Sequence, residues 1–148
     1  MKKKLLISAC LCGKNTKYNG KNNCIDHLNK LEEAFELFLI CPEVMGGLST
    51  PRDPSEILQD KVFSNKGKDV TKEFDLGAKK ALDIALENNI TIALLKESSP
   101  SCGSNLIYDG TFSGKKIAGE GIATRLLNEN HIKVFNENQI EELLEYIK

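Results

Sequence analysis

At 148 residues, with 41% hydrophobic and 28% charged side chains, the chain has the size and balance of one folded soluble domain, which excludes a disordered or fibrous protein. Twenty basic and twenty-one acidic residues leave a formal charge of −1, so no bulk field draws the protein to nucleic-acid backbones or anionic lipid. No stretch approaches the roughly 20 apolar residues that cross a bilayer, and with no surplus of hydrophobic residues a monomer is expected.

The basic, briefly apolar start MKKKLLISACLCG runs into cysteines and glycine, as a first strand entering a loop does, and is not read as a secretory signal. A cytoplasmic protein is expected. Lys4 to Ala9 is a buried strand that ends at a turn-rich segment with Gly13, Tyr18, Asn19 and Gly20. From Asp26 to Phe35 the apolar residues Leu28, Leu31, Ala34 and Phe35 recur at helical spacing. Leu37 to Cys41 is a second buried strand, stopped by Pro42, which cannot donate to a ladder.

Between Gly46 and Asp69 the chain carries Pro51, Pro54 and three glycines without a sustained period, which predicts irregular structure and a small hairpin around Val62 to Lys68. Thr71 caps a helix running to Glu87, with Phe74, Ala78, Ala81, Leu82 and Ala85 on one stripe. Ile90 to Leu95 is a third strand, left by the Ser- and Pro-rich turn Ser98 to Gly103. Gly121 to Asn130 suits another helix and Ile132 to Phe135 a fourth strand, while Asn136 with Gln139 resembles a capping box opening a C-terminal helix. The alternation predicts a single three-layer α/β domain over residues 1–148, a Rossmann-like parallel sheet of about four strands with helices on both faces.

In such sheets ligands bind outside the carboxyl ends of the strands, which would bring Cys10, Cys41 and Cys102 to one edge. Five cysteines is an odd number, and in a reducing compartment free thiols serve metal binding or chemistry, or are buried as inert packing. Three thiolates from three loops can hold an iron–sulfur cluster and leave one iron open. Neither the dense cysteine run of a ferredoxin nor paired zinc knuckles are present, so spacing alone leaves the packing alternative standing. Near two of these cysteines lie Glu43, a candidate general base or proton donor or else a solvated loop charge, and Ser101, a candidate proton relay or else a turn residue. Arg52 can clamp a phosphate or a ring oxygen, or pair with Asp53 or Glu56; with Ser99 it is a candidate substrate contact. His27 and His131 fall in or at the end of helices and suit surface or packing roles.

The chain also resembles the thiouracil desulfidase family, long catalogued as a domain of unknown function. The resemblance is carried by Ser8-Ala-Cys-Leu11, Tyr18-Asn-Gly20, Cys41-Pro-Glu-Val-Met-Gly-Gly-Leu48, Pro51-Arg-Asp-Pro54 and Gly67-Lys-Asp-Val-Thr71. It continues in Lys96-Glu-Ser-Ser-Pro-Ser-Cys-Gly103, Ile107-Tyr-Asp-Gly110 and Gly119-Glu-Gly-Ile122, so it runs from about residue 5 to residue 137. It implies a [4Fe-4S] enzyme with three cysteine ligands, matched by Cys10, Cys41 and Cys102, and one open iron. The substrate so implied is a thiolated pyrimidine of the 2-thiouracil or 4-thiouracil type, as base or nucleotide. Its thiocarbonyl sulfur would be taken up, replaced on carbon by water and released as sulfide, with no net redox change. The family's acid–base carboxylate and serine match Glu43 and Ser101.

Two departures from the family pattern stand out. Many relatives carry a cysteine four residues before the motif's glycine and an Arg-Tyr-Asp-Gly run, where this chain has Thr16 and Lys17-Tyr-Asn-Gly20. Thr16 cannot be a thiolate ligand. Cys12 could replace that cysteine in part, although ligation two residues from Cys10 is sterically awkward, and Cys24 reads as a bystander. Two further readings remain open: a non-catalytic iron–sulfur or sulfide carrier or sensor, and Cys102 as a hydrolytic nucleophile, for which no histidine lies in a nearby loop to act as base.

Overall fold

The computed structural model describes residues 2–148. Its centre is a parallel four-stranded sheet of β1 (Lys3–Ser8), β2 (Phe35–Ile40), β5 (Ile92–Leu95) and β8 (Lys133–Asn136), in the order β2-β1-β5-β8. The unbroken apolar runs of β1 and β5 are explained by this position, because a strand in a parallel sheet is covered on both faces. Leu5, Leu6, Ile7, Ala93, Leu94 and Leu95 are all fully buried.

Alternate residues feed two cores. Leu6, Ile40, Ala93, Leu95 and Val134 pack with Ala81 and Ala85 of α3 (Thr71–Glu87) and Leu127 of α4 (Ile122–Glu129). Leu5, Ile7, Phe35, Ile92, Leu94 and Phe135 pack on the other face with Leu31 of α1 (Leu28–Ala34) and with Ile140 and Leu143 of α5 (Ile140–Tyr146). The sheet is thus covered by helices on both faces, in the three-layer α/β arrangement the alternation predicts. Helix α3 spans the predicted residues, but Val70 and not Thr71 stands at its N-cap, the Thr71 hydroxyl instead accepting from Val62 N at 2.9 Å; strand and helix ends elsewhere shift by a few residues. The predicted capping box forms: Asn136 Oδ1 accepts from Asn138 N at 2.9 Å, and Asn136 N donates to Gln139 Oε1 at 3.1 Å.

Three features differ from the expectation. Val62 to Lys68 does turn back on itself, with Phe63 bridged to Asp69, but β4 (Lys61–Ser64) also pairs with an earlier strand, β3 (Ser55–Leu58), across a turn at Gln59 and Asp60. A second hairpin, β6 (Leu106–Tyr108) with β7 (Lys116–Ala118), lies in what reads locally as loop. Strands of three or four residues are too short to show a period, and they are held by Ile57, Val62 and Ile107 packing against Phe74 and Val70.

The third is α2 (Pro42–Met45), a four-residue helix with Pro42 at its first turn and Cys41, extended, at its N-cap. It crosses α3 at two glycines. A Cβ on Gly77 would lie 1.7 Å from the Pro42 carbonyl oxygen, and one on Gly46 would lie 1.8 Å from that of Glu73. No side chain fits in either place, so the pair of glycines sets where α2 sits and hence where Cys41 and Glu43 point.

Candidate active site

The chain runs from β1 to β2 on one side and then places β5 and β8 on the other, so the direction of the strand order reverses between β1 and β5. In open α/β sheets the ligand crevice forms outside the carboxyl ends at such a reversal. A cleft of about 470 Å³ opens there, and Cys10, Cys41 and Cys102 all line it. Cys10 sits in the 3₁₀ turn Ala9–Cys12 that follows β1, Cys41 follows β2, and Cys102 lies in the turn after β5.

Burial pushes the Cys102 thiol up to about 12, Ser101 and Ser8 hydroxyls pull it down, and Cys41 and Cys10 add to the rise. Burial also raises Cys10, with the Asn23 side chain opposing and Cys41 adding to the rise. The three thiols therefore feel one another, and those of Cys10 and Cys102 are protonated at neutral pH. Metal loading would have to displace those protons. Among the described residues no group of three His, Cys, Asp or Glu closes on a single metal ion. The donor set is three soft sulfurs lining one cleft, ligands whose chemistry would suit an iron–sulfur cluster. Cys12 and Cys24 do not line the cleft, so the structure does not bring Cys12 into the position the sequence leaves open for it.

Glu43, in α2, faces the cleft at the centre of a polar chain. Its Oε2 accepts from Ser101 Oγ at 3.0 Å and from Ser99 Oγ at 3.4 Å. Ser101 Oγ in turn lies 3.4 Å from Cys102 Sγ, so a continuous path joins carboxylate, hydroxyl and thiol. Ser99 Oγ also accepts from Ser101 N at 3.1 Å and Cys102 N at 3.2 Å, so it organises its own turn.

Arg52 pairs with neither Asp53 nor Glu56. Its Nε donates to Glu43 Oε1 at 3.2 Å, and only 7% and 14% of the two side chains remain exposed. Its Nη1 donates to Ser49 O at 3.2 Å and Thr50 Oγ1 at 3.0 Å, and Nη2 to Thr16 O at 2.8 Å. With its fork turned into protein acceptors, the guanidinium holds the carboxylate from behind. Asp53 pairs with Lys66 at 3.5 Å, and Glu56 Oε1 takes the backbone amides of Gly110 at 3.0 Å and Phe112 at 3.1 Å.

Three supports were not read from the sequence. Glu97 Oε1 accepts from the amides of Ser98, Ser104 and Asn105, at 2.9, 2.9 and 3.2 Å, and its Oε2 from Asn136 Nδ2 at 2.9 Å. Burial alone would raise its pKa; the backbone amides of Ser98, Ser104, Asn105 and Leu106 outweigh that and hold the carboxyl below the ordinary glutamate value. Ser8, buried at the end of β1, accepts from Lys96 N at 3.0 Å and lies 3.6 Å from Cys102 Sγ. A Cβ on Gly121 would come within 2.4 Å of the Ser101 carbonyl carbon, so α4 begins hard against the Cys102 turn. The available signal was a carboxylate beside a turn rich in free amides. His27 and His131 are both exposed and outside the cleft.

Residues 5–139, which include every residue of this site, match the 2-thiouracil desulfurase family. The chain belongs to that family. A solved relative, the [4Fe-4S]-dependent thiouracil desulfidase TudS, is 46% identical, with a TM-score of 0.95 over 99% of this chain and 98% of its own. The uncharacterized protein YbbK of Bacillus subtilis (strain 168) is 41% identical over 150 residues, covering 95% of this chain and 99% of that protein. As a member of the 2-thiouracil desulfurase family the chain is an enzyme, and its parallel sheet is that of its solved relative.

Proposed function

We propose that this protein is a [4Fe-4S]-dependent desulfidase that hydrolyses the carbon–sulfur bond of a thiolated pyrimidine and releases sulfide. The observation that carries the reading is the joining of Glu43 and Ser101, at 3.0 Å, in the same cleft as three cysteines from three strand ends. Cys10, Cys41 and Cys102 would hold the cluster, leaving one iron open. When bound, the cluster supplies a soft Lewis-acid iron for the thiocarbonyl sulfur.

The protein's own residues then have two tasks. Glu43 Oε2, freed from Ser101 by a small hydroxyl rotation, takes a proton from the water that attacks carbon. Ser101 Oγ, between Glu43 and Cys102, returns that proton toward the departing sulfur. The C=S double bond is exchanged for C=O through a tetrahedral carbon, and the two protons of water end on sulfide, so no oxidant or reductant is needed. Arg52 keeps Oε1 occupied and leaves Oε2 as the working oxygen.

Tyr18, Tyr108 and Phe112 line the cleft and could receive a planar ring. Phe112 is 38% exposed and held at φ 57°. Aromatic faces stack flat heterocycles. We place this activity in one domain, residues 1–148, acting as a monomer in the reducing cytoplasm, without bulk nucleic-acid binding. All five cysteines being free supports the compartment.

The test is anaerobic reconstitution with iron and sulfide, with iron content and the visible absorption band recorded beside Cys10→Ala, Cys41→Ala and Cys102→Ala, and sulfide release from 2-thiouracil and 4-thiouracil measured. A band lost in each variant together with sulfide from the wild type is expected. A stable cluster that releases no sulfide would leave a carrier, and absence of iron would end the cluster reading.

A further inference from the structure

Among the described residues one buried side-chain polar atom lacks a hydrogen-bond partner: the hydroxyl oxygen of Thr16. Native interiors keep such atoms rare, and each one asks for an explanation. Thr16 lines the cleft, and its other polar groups are all engaged. Its amide donates to Lys14 O at 2.9 Å, and its carbonyl accepts from Arg52 Nη2 at 2.8 Å and from Cys41 Sγ at 3.8 Å. The unpaired hydroxyl therefore belongs to the residue that already touches both a cluster-binding cysteine and the arginine behind Glu43.

The hydrogen bond between Cys41 and Thr16 runs from thiol to carbonyl, which holds only while the sulfur carries its proton. A sulfur bound to iron has lost that proton, so it faces a carbonyl oxygen as a second acceptor and needs a donor in its place. The uncommitted donor on the same residue is Thr16 Oγ1. We propose that Thr16 is a positioning residue whose hydroxyl donates to the Cys41 sulfur once that cysteine holds iron. The protein without iron thus carries an unpaired hydroxyl that the loaded protein uses. The inference rests on the cluster reading above, and it adds to it a role for a residue that cannot itself be a ligand.

Hydrogen bonds to ligating sulfur strengthen ligation and raise the reduction potential of a cluster. The test compares wild type, Thr16→Val and Thr16→Ser, first without iron by thermal unfolding and then after anaerobic loading with ferrous iron and sulfide. Iron release to a chelator and the midpoint potential are followed. Thr16→Val without iron is expected to melt no lower than wild type, since its hydroxyl has no partner to lose. Loaded Thr16→Val should release iron roughly tenfold faster, the scale of one hydrogen bond to a charged group. Its midpoint potential should fall, while Thr16→Ser keeps the wild-type behaviour. Iron release and midpoint unchanged in Thr16→Val would overturn the proposal, as would an iron-free Thr16→Val that melts well below wild type. Wild type that retains no iron would instead overturn the cluster reading and the proposal with it.

Discussion

Replacing Arg52 with alanine removes the partner of a carboxylate that is only 14% exposed on its side chain, together with the donors to Ser49 O, Thr50 Oγ1 and Thr16 O. Breaking a buried ion pair from one side costs about 3–5 kcal/mol, because the remaining charge has lost both water and partner. Glu43 keeps the Ser101 hydroxyl and some solvent, which places the loss near the lower end, about 3 kcal/mol. For a domain of this length that corresponds to a fall of roughly 10 °C in Tm. A double-mutant cycle isolates the pair: Arg52→Ala, Glu43→Ala and the double variant, compared by urea unfolding of the iron-free chain under reductant. A coupling energy above about 1.5 kcal/mol is expected, against about 0.5 kcal/mol or less for pairs held in water. A coupling at the lower figure would mean that Arg52 does not hold Glu43 in solution, and the orientation of the proposed base would need another source.

Three further outcomes follow from the same geometry. Gly77→Ala drives a methyl group into the Pro42 carbonyl, 1.7 Å away; calorimetry should show a loss of about 3 kcal/mol or more, and iron uptake should fall because α2 carries Cys41. The folded pKa of Glu97 lies below its unfolded value, so its contribution is present above the ordinary glutamate range and lost as pH falls through the folded pKa. Urea midpoints of wild type should therefore drop more steeply than those of Glu97→Gln between about pH 7 and about pH 3; parallel curves would refute the amide staple. Because burial raises Cys10 and brings Cys102 to about 12, iron loading should acidify weakly buffered solution. Proton release on loading should be seen in wild type and be lost in Cys102→Ala, which does not hold the cluster, as a pH-stat would record.

Local pattern by itself determined the architecture of this protein. The unbroken apolar runs of β1 and β5 and the 3.6-residue stripe on α3 are local patterns that need no distant partner to be read. Three cysteines at three strand exits, on a parallel sheet, already implied one shared edge. The site's working contacts were decided by tertiary structure, because they join residues that no local rule relates. Glu43 meets Ser101 across 58 positions, and Glu97 reaches Asn136 across 39. Arg52 had acidic neighbours in sequence and chose neither; the crossing of α2 over α3 at Gly77 and Gly46 brought Glu43 to it instead. Cys12 is two residues from Cys10 and outside the cleft, since the 3₁₀ turn Ala9–Cys12 aims the two side chains differently. Periodicity records which face of an element is buried. It does not record which loop another loop will touch, and that is where the chemistry of this cleft resides.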